Sequence, residues 1–420
     1  MANKMTKDQM EQMCENARRL GFRPERLRLL DERLQCWSKN EMTPSIAVKV
    51  LRHGEMAFEG AYGILGPDKE GDSLRVDTIF PICSMTKPVV STLLALMQEE
   101  GLIDLNDPVR NYLPEFTGDK DSEIRIWHLI THTSGIIDGD FYNGYERFVK
   151  ENISTELPSE DNQEAWDVIT LKIREKLGLP TVELGNKMRH ETYLAAALTQ
   201  EPTHKPHAVM TYCNTGFHLV MSIINKISGK PIDVYAKEKL FDPLKMIDSH
   251  FLFPKEKRSR FIQRGAEYVG SDWLNEDILS SEHGPGGLKS TVHDMTRFGQ
   301  MYLNKGYLDG VSVLSPASIR ELTFDQNFII SEATFVDRLC DMSWNTWGLG
   351  WNLRGRKRDD AGLLRSPASY EHGGFGCCKL LCDPEADVVA AYFTVCKTDT
   401  NYKASAFNNI VLGAITNLKA

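Results

Sequence analysis

Apolar residues at Leu27, Leu29, Leu30, Leu34 and Trp37 fall on one side of a helical wheel, so residues 7–38 read as helix. The next stretch, "SIAVKVLRHGEMAFEGAYG", is strand-like on either side of His53-Gly54, a turn pair that signals a hairpin. Helical spacing returns after Ser84 in "PVVSTLLALMQEEG", and "IRIWHLITHTSG" predicts another helix ending near Gly135. Residues 136–210 change character: "ENISTELPSEDNQEAWDVITLKIREKLGLP" is charged and helical, and Pro158, Pro180, Pro202 and Pro206 interrupt the region. "FHLVMSIINKISGKPIDVYAKEKLFDPL" gives two helices divided at Gly229-Lys230-Pro231. "TVHDMTRFGQMYLNKG" gives one more, capped by Thr291 and stopped by Gly306. From Trp347 the pattern turns to strands in "WGLGWNL", "GCCKLLCD" and "DVVAAYFTV", followed by a last helix at 404–418.

Strands at both ends with helices between them predict an α/β (α+β) fold in which the two termini close one sheet, plus an inserted helical lobe. The expected organisation is a helical extension over 1–39 and one domain over 40–420. Within that domain, the sheet lobe covers about 40–80 and 345–420, and a lid-like helical insertion covers about 136–210. A site belongs between the two lobes.

Composition narrows the partners. The 420 residues are 41% hydrophobic with a formal charge of −9, enough for a large core and unsuited to nucleic acid. No block of Lys/Arg forms a membrane patch and no 18 apolar residues run together, so the expected partner is a small molecule and the expected compartment the cytoplasm. Nine cysteines without paired-ligand spacing fit reduced thiols, and Cys377, Cys378 and Cys382 read as strand packing and not as a metal site.

The chemistry centres on "FPICSMTKPVV". Proline inside a helix clashes with the carbonyl four residues back, so Pro88 places the helix start at about Ser84. Lys87, three residues on, shares its face. Alone, the pair is equally what a capping serine and a solvated lysine look like. The apolar neighbours Phe80, Pro81, Ile82, Val89 and Val90 argue that Lys87 is buried, which lowers an ammonium pKa and makes a usable base. A serine at a helix start also has a free backbone N–H for an oxyanion. Tyr212 in "MTYCNTGFHLV", two residues before Asn214, offers a second titratable group, since a tyrosine beside an ammonium is stabilised as phenolate; alone, a structural tyrosine is the usual meaning of this pattern.

Together these segments resemble the serine β-lactamase and penicillin-binding-protein superfamily, in particular its class C, D-alanyl-D-alanine carboxypeptidase and family VIII carboxylesterase branch. The carrying residues are Ser84-Met85-Thr86-Lys87, Tyr212-Cys213-Asn214, "LITHTSG" at 129–135, "GPGGLKSTVHDMTRFGQMYLNKG" at 284–306, and His372-Gly373-Gly374 at the third box. The resemblance, from about 40 to 418, implies a β-lactamase/transpeptidase-like fold, an antiparallel sheet flanked by helices. It implies Ser84 as acyl-forming nucleophile, with Lys87 and Tyr212 sharing acid/base work and Asn214 bonding Lys87 or substrate. The N–H groups of Ser84 and Phe375 would form the oxyanion hole. His372 stands where a β-lactamase has a lysine, and a mostly neutral histidine holds an anionic substrate less well.

Other signals carry less. His128 and His132 sit at i, i+4 but lack the glutamate of a metalloprotease helix, so packing or capping is expected. "GPGGLKS" lacks the phosphate-loop pattern, and no Gly-x-Ser-x-Gly elbow is present. Cys83 and Cys213 read as packing residues beside the site. Trp344, Trp347, Phe141, Tyr142 and Tyr145 are pocket or core residues in equal measure. The expectation is a serine hydrolase acting on a carboxylic ester without metal or cofactor. Acyl transfer, amide or D-amino-acid peptide hydrolysis and weak β-lactam hydrolysis are the enzymatic alternatives, and a catalytically silent sensor or assembly protein is the alternative from another class.

Overall fold

The computed structural model describes residues 7–39, 43, 45–66, 73–114, 116–118, 123–159, 162–181, 185–199, 201–262, 279, 282–330, 345–359, 361–395 and 402–418. Its centre is a six-stranded antiparallel sheet of β1 (Ser45–Arg52), β2 (Glu55–Gly63), β3 (Asn352–Leu353), β4 (Tyr370–Gly374), β5 (Cys378–Asp383) and β6 (Val388–Val395). The strand order is β2-β1-β6-β5-β4-β3, so the N-terminal hairpin joins the C-terminal meander through β1 and β6, from Ser45 opposite Val395 to Arg52 opposite Val388. The hairpin turns as its sequence demands: His53 (φ 53°) and Gly54 (φ 78°) are both left-handed, as a two-residue turn matched to strand twist requires.

Every residue of β1 and β6 is buried, because both faces of the sheet are covered. Alternate residues Ile46, Val48 and Val50 face one core, shared with α1 (Lys7–Arg19), α2 (Pro24–Trp37) and α9 (Tyr402–Gly413). Ala47 and Leu51 face the larger core. That core holds α3 (Thr86–Glu99), whose residues Thr86 to Met97 are all buried, together with α7 (Thr215–Ser228) and α8 (Val292–Leu303). Burial all round explains why α3 shows no polar face. Leu93, Leu94 and Met97 are fully buried, each contributing roughly 2 kcal/mol by area. The 136–210 region contains α4 (Asp138–Phe148), α5 (Gln163–Leu177) and α6 (Asn186–Ala197), with a separate small core of Tyr145, Phe148, Val149, Ile169, Ile173 and Ala196. No described helix is long and apolar enough to cross a membrane.

Several elements differ from their sequence reading. The N-terminal helix breaks in two at Gly21 (φ 71°), where a Cβ would lie 2.7 Å from Arg52 Nη1. "IRIWHLI" is helical only over Ile126–Ile130, because His132 adopts φ 61° and turns the chain away. "WGLGWNL" contributes only the two residues of β3. Thr291 and Gly306 act as read: Thr291 Oγ1 accepts the Asp294 N–H at 3.1 Å, and Gly306 has φ 96°.

Arg52 joins the layers. Its buried guanidinium donates from Nη1 to the carbonyls of Leu20 (2.8 Å) and Gly21 (2.9 Å), from Nε to Ala386 (3.1 Å), and from Nη2 to Asn417. These acceptors come from the α1–α2 turn, the β5–β6 turn and the segment after α9. Arg52→Met keeps the stem and strands those carbonyls, so it is expected to lose about 3 kcal/mol in urea unfolding at unchanged slope. Lysine, with a single donor head, is expected to recover less than half; a midpoint within error of wild type would contradict this role.

Candidate active site

Ser84 lies on a 3₁₀ turn, Cys83–Met85, that runs directly into α3. The α-helix therefore starts two residues later than Pro88 alone predicts, with Pro88 still in its first turn. In a 3₁₀ turn residues three apart eclipse, so Lys87 stands over Ser84, its Nζ 3.0 Å from Ser84 Oγ. The turn is strained at Cys83 (φ 48°), which costs an L-residue on the order of 1 kcal/mol. Hydrogen bonds offset this: Thr86 Oγ1 donates to Cys83 O at 2.6 Å and accepts from Leu288 N–H at 3.1 Å, and Ile82 N–H donates to Leu288 O at 3.0 Å.

Lys87 is 0% exposed, as its apolar neighbours imply. Besides Ser84, its Nζ contacts two acceptors, Asn214 Oδ1 at 2.9 Å and the Pro285 carbonyl at 3.0 Å. The rings of Tyr212 and Phe217 lie 4.8 and 5.4 Å from it. Burial pushes its pKa down to about 7, against upward pulls from Asp138, Cys83 and Cys213. Tyr212 is hydrogen bonded to Ser84 but is pushed upward, since burial outweighs that bond. Tyr212 therefore stands as a phenol at neutral pH, unlike the phenolate expected from the sequence.

The "LITHTSG" segment is the shelf under this loop. Thr211 N–H donates to His132 O at 2.8 Å, Cys213 N–H donates to His132 Nδ1 at 3.1 Å, and the His132 ring stacks on Tyr212 with centroids 4.3 Å apart. Burial, then Lys87 and His372, hold His132 well below the usual imidazole range. His128 is a capping residue: its Nδ1 accepts the Arg125 N–H at 2.9 Å. Trp347 packs edge-on against His132, Tyr212 and His372 at 5.0, 6.1 and 5.7 Å. Of the other aromatic candidates, Tyr145 is in the inserted lobe's core; Trp344 and the side chains of Phe141 and Tyr142 lie outside the described residues.

β4 brings the third box to the turn. A Cβ on Gly374 would lie 2.0 Å from Ile82 O, so only glycine allows strand and turn to touch, and Phe375 follows immediately. His372 is 3% exposed, and its Nδ1 donates to Gly373 O at 2.7 Å, which leaves Nε2 as the unprotonated nitrogen. Burial, then Lys87, bring its pKa down to about 3, against the Gly373 hydrogen bond. The histidine is uncharged and has a lone pair at Nε2, at the position where a β-lactamase has a lysine. Gly373 lies opposite Lys379 of β5.

Ser84, Lys87, Tyr212 and Asn214 are thus in one hydrogen-bonded group, with His372 and Gly374 beside it. The sequence reading missed two members: the Pro285 carbonyl, which no side-chain motif announces, and Asp138, the first residue of α4. Cys213 and Cys83 are buried, and burial pushes the Cys213 thiol upward, as packing residues require. Cys378 and Cys382 are buried on β5.

A family model described as Beta-lactamase matches residues 29–414. Protein Rv1367c of Mycobacterium tuberculosis is 26% identical over 378 residues, covering 80% of this chain and 82% of that protein. A crystal structure of a penicillin-binding protein homologue from Caulobacter crescentus superposes with TM-score 0.69 at 16% identity, over 93% of this chain and 98% of that one. A family VIII carboxylesterase superposes with TM-score 0.66 at 17% identity, over 92% and 95%. The family match over most of the length places the chain in the β-lactamase family of serine hydrolases.

Proposed function

We propose that this protein hydrolyses a carboxylic ester through an acyl-enzyme on Ser84. One observation carries the reading: the two fixed acceptors on Lys87, Asn214 Oδ1 and Pro285 O, take the two hydrogens of a neutral amine and leave its lone pair facing Ser84 Oγ. A neutral amine is accessible because burial brings Lys87 to about 7.

Lys87 takes the hydroxyl proton as Ser84 Oγ attacks the ester carbonyl, and a C–O bond forms. The resulting oxyanion is held by the Ser84 and Phe375 N–H groups at the seam that Gly374 creates; removing one such donor typically costs ~10²–10³ in rate. As the tetrahedral adduct collapses, the bond to the leaving oxygen breaks. The Tyr212 phenol gives that oxygen its proton and is reprotonated by the Lys87 ammonium. Water then attacks the acyl-serine, its proton passing to Lys87 through Tyr212; as the second adduct collapses the bond from carbon to Ser84 Oγ breaks, Oγ takes its proton back from Lys87, and the acid is released. No step needs a metal or cofactor. Asn214, His372, Gly373 and Gly374 support binding. Uncharged His372 favours a neutral ester over an anionic β-lactam.

Three outcomes follow. Ser84→Ala is expected to lose p-nitrophenyl ester turnover by on the order of 10⁴-fold and all fluorophosphonate labelling; equal labelling of both chains would remove Ser84 from the mechanism. Because neutral Lys87 is the active form, kcat/KM should rise with pH through about 7. Tyr212, raised above the ordinary phenol value, should cause no loss below about pH 10. A profile flat between pH 5.5 and 8.5 would exclude Lys87 as the base. His372→Lys should raise nitrocefin turnover relative to a short-chain ester by about tenfold, the scale of one charge-assisted hydrogen bond. Wild-type nitrocefin turnover equal to that of the ester would overturn the ester preference.

A further inference from the structure

Asp138 opens α4 in the inserted lobe, and no motif of the active site includes it. Its residue surface is exposed, yet both carboxylate oxygens are aimed at the loop that carries Tyr212 and Asn214. Oδ2 accepts the Asn214 backbone N–H and the Asn214 side-chain Nδ2, each at 3.0 Å. Oδ1 accepts the Thr215 N–H and Oγ1, each at 2.9 Å, and the Cys213 Sγ at 3.2 Å. The three consecutive residues ahead of and opening α7 are thus tied to one side chain of another lobe.

The consequence reaches Lys87. An asparagine amide has one donor end and one acceptor end, and a flip exchanges them. With Nδ2 held by Asp138, Oδ1 points at Lys87 Nζ, 2.9 Å away. A flipped amide would place N–H against N–H and take away one of the two acceptors that orient the Lys87 lone pair.

We propose that Asp138 is a positioning residue of this site: its carboxylate fixes the Asn214 amide so that Lys87 faces Ser84, and it couples the inserted lobe to the nucleophile. The assignment rests on the acyl-enzyme reading above. Among the described residues, every hydrogen-bond partner of Asp138 is a donor, so a carboxylate satisfies them all. An amide at 138 would present N–H to N–H on one of its two sides. Asp138 also acts electrostatically. Among the groups around Lys87, namely Cys83 on the turn, Tyr212 and Cys213 on the loop, His132 on the shelf and His372 on β4, it exerts the largest upward pull on the lysine. Both histidines are neutral.

The test uses fluorophosphonate labelling of Ser84, which needs no knowledge of the ester, on the full chain with melting temperature as a folding control. Asp138→Asn is expected to slow labelling about 10- to 100-fold, the range of a misplaced catalytic group. The acid limb of its pH profile should move to lower pH, a shift that mere loosening of the lobe would not produce. In a cycle with Asn214→Ala the double variant should label no more slowly than the slower single variant, since Asp138 acts through Asn214. If the asparagine chain does not fold, Asp138→Glu carries the test: slowed labelling with an unmoved acid limb is expected, because the charge remains. Folded Asp138 variants with wild-type labelling and pH profile, or losses that add in the cycle, would overturn the assignment alone. An unlabelled wild type would overturn the acyl-enzyme reading, and this one with it.

Discussion

The burial of the Lys87 amine is the constraint on which the site depends. A buried ammonium without partners is costly, and a buried amine without fixed acceptors has no preferred direction. Here Ser84 Oγ, Asn214 Oδ1 and Pro285 O surround the nitrogen at 2.9 to 3.0 Å, each from a different segment of chain. The 3₁₀ turn, the loop before α7 and the glycine turn before α8 must all be in place for the nitrogen to point at the serine. The same enclosure brings the lysine close to neutrality.

The rest of the fold holds those segments at fixed spacing. α3 is buried from Thr86 to Met97, so it offers a rigid base for a turn that carries backbone strain at Cys83. The sheet supplies the opposite wall, and the absence of a side chain at Gly374 allows β4 to touch Ile82. The outer helices cover the far face of the sheet, and Arg52 ties their turn to the β-hairpin and to the chain's end. A sheet sealed on both faces cannot shift its register without exposing one of its two cores.

On the proposed reading, specificity is set by the wall that carries no charge. His132 and Trp347 pack on Tyr212, His372 packs on Trp347, and both imidazoles are held neutral. A lysine at position 372 would instead place a second ammonium near Lys87 and depress it further. If Lys87 is the base, as proposed, a neutral neighbour serves it better electrostatically, at the expense of anionic substrates.

Much of this was legible in the sequence. The hairpin at His53-Gly54, the helix between Thr291 and Gly306, the strands of the C-terminal meander and the α/β class follow from local pattern, because turn chemistry and burial periodicity act over a few residues. Ser84 and Lys87 could be named as candidates for the same reason, since both fall in one turn, whereas Tyr212, Asn214 and His372 were named through short boxes that resemble the family's. Pattern failed where tertiary contact overrides propensity. His132 leaves the helix to stack on Tyr212, the N-terminal helix breaks where Gly21 meets Arg52, and burial pushes Tyr212 upward against its hydrogen bond to Ser84, which disfavours the phenolate. The sequence by itself brought out the candidate residues. The acceptors around the Lys87 nitrogen, the tautomer of His372 and the grip of Asp138 on Asn214 were decided only by the tertiary structure, because each depends on an acceptor or donor brought in by another part of the chain.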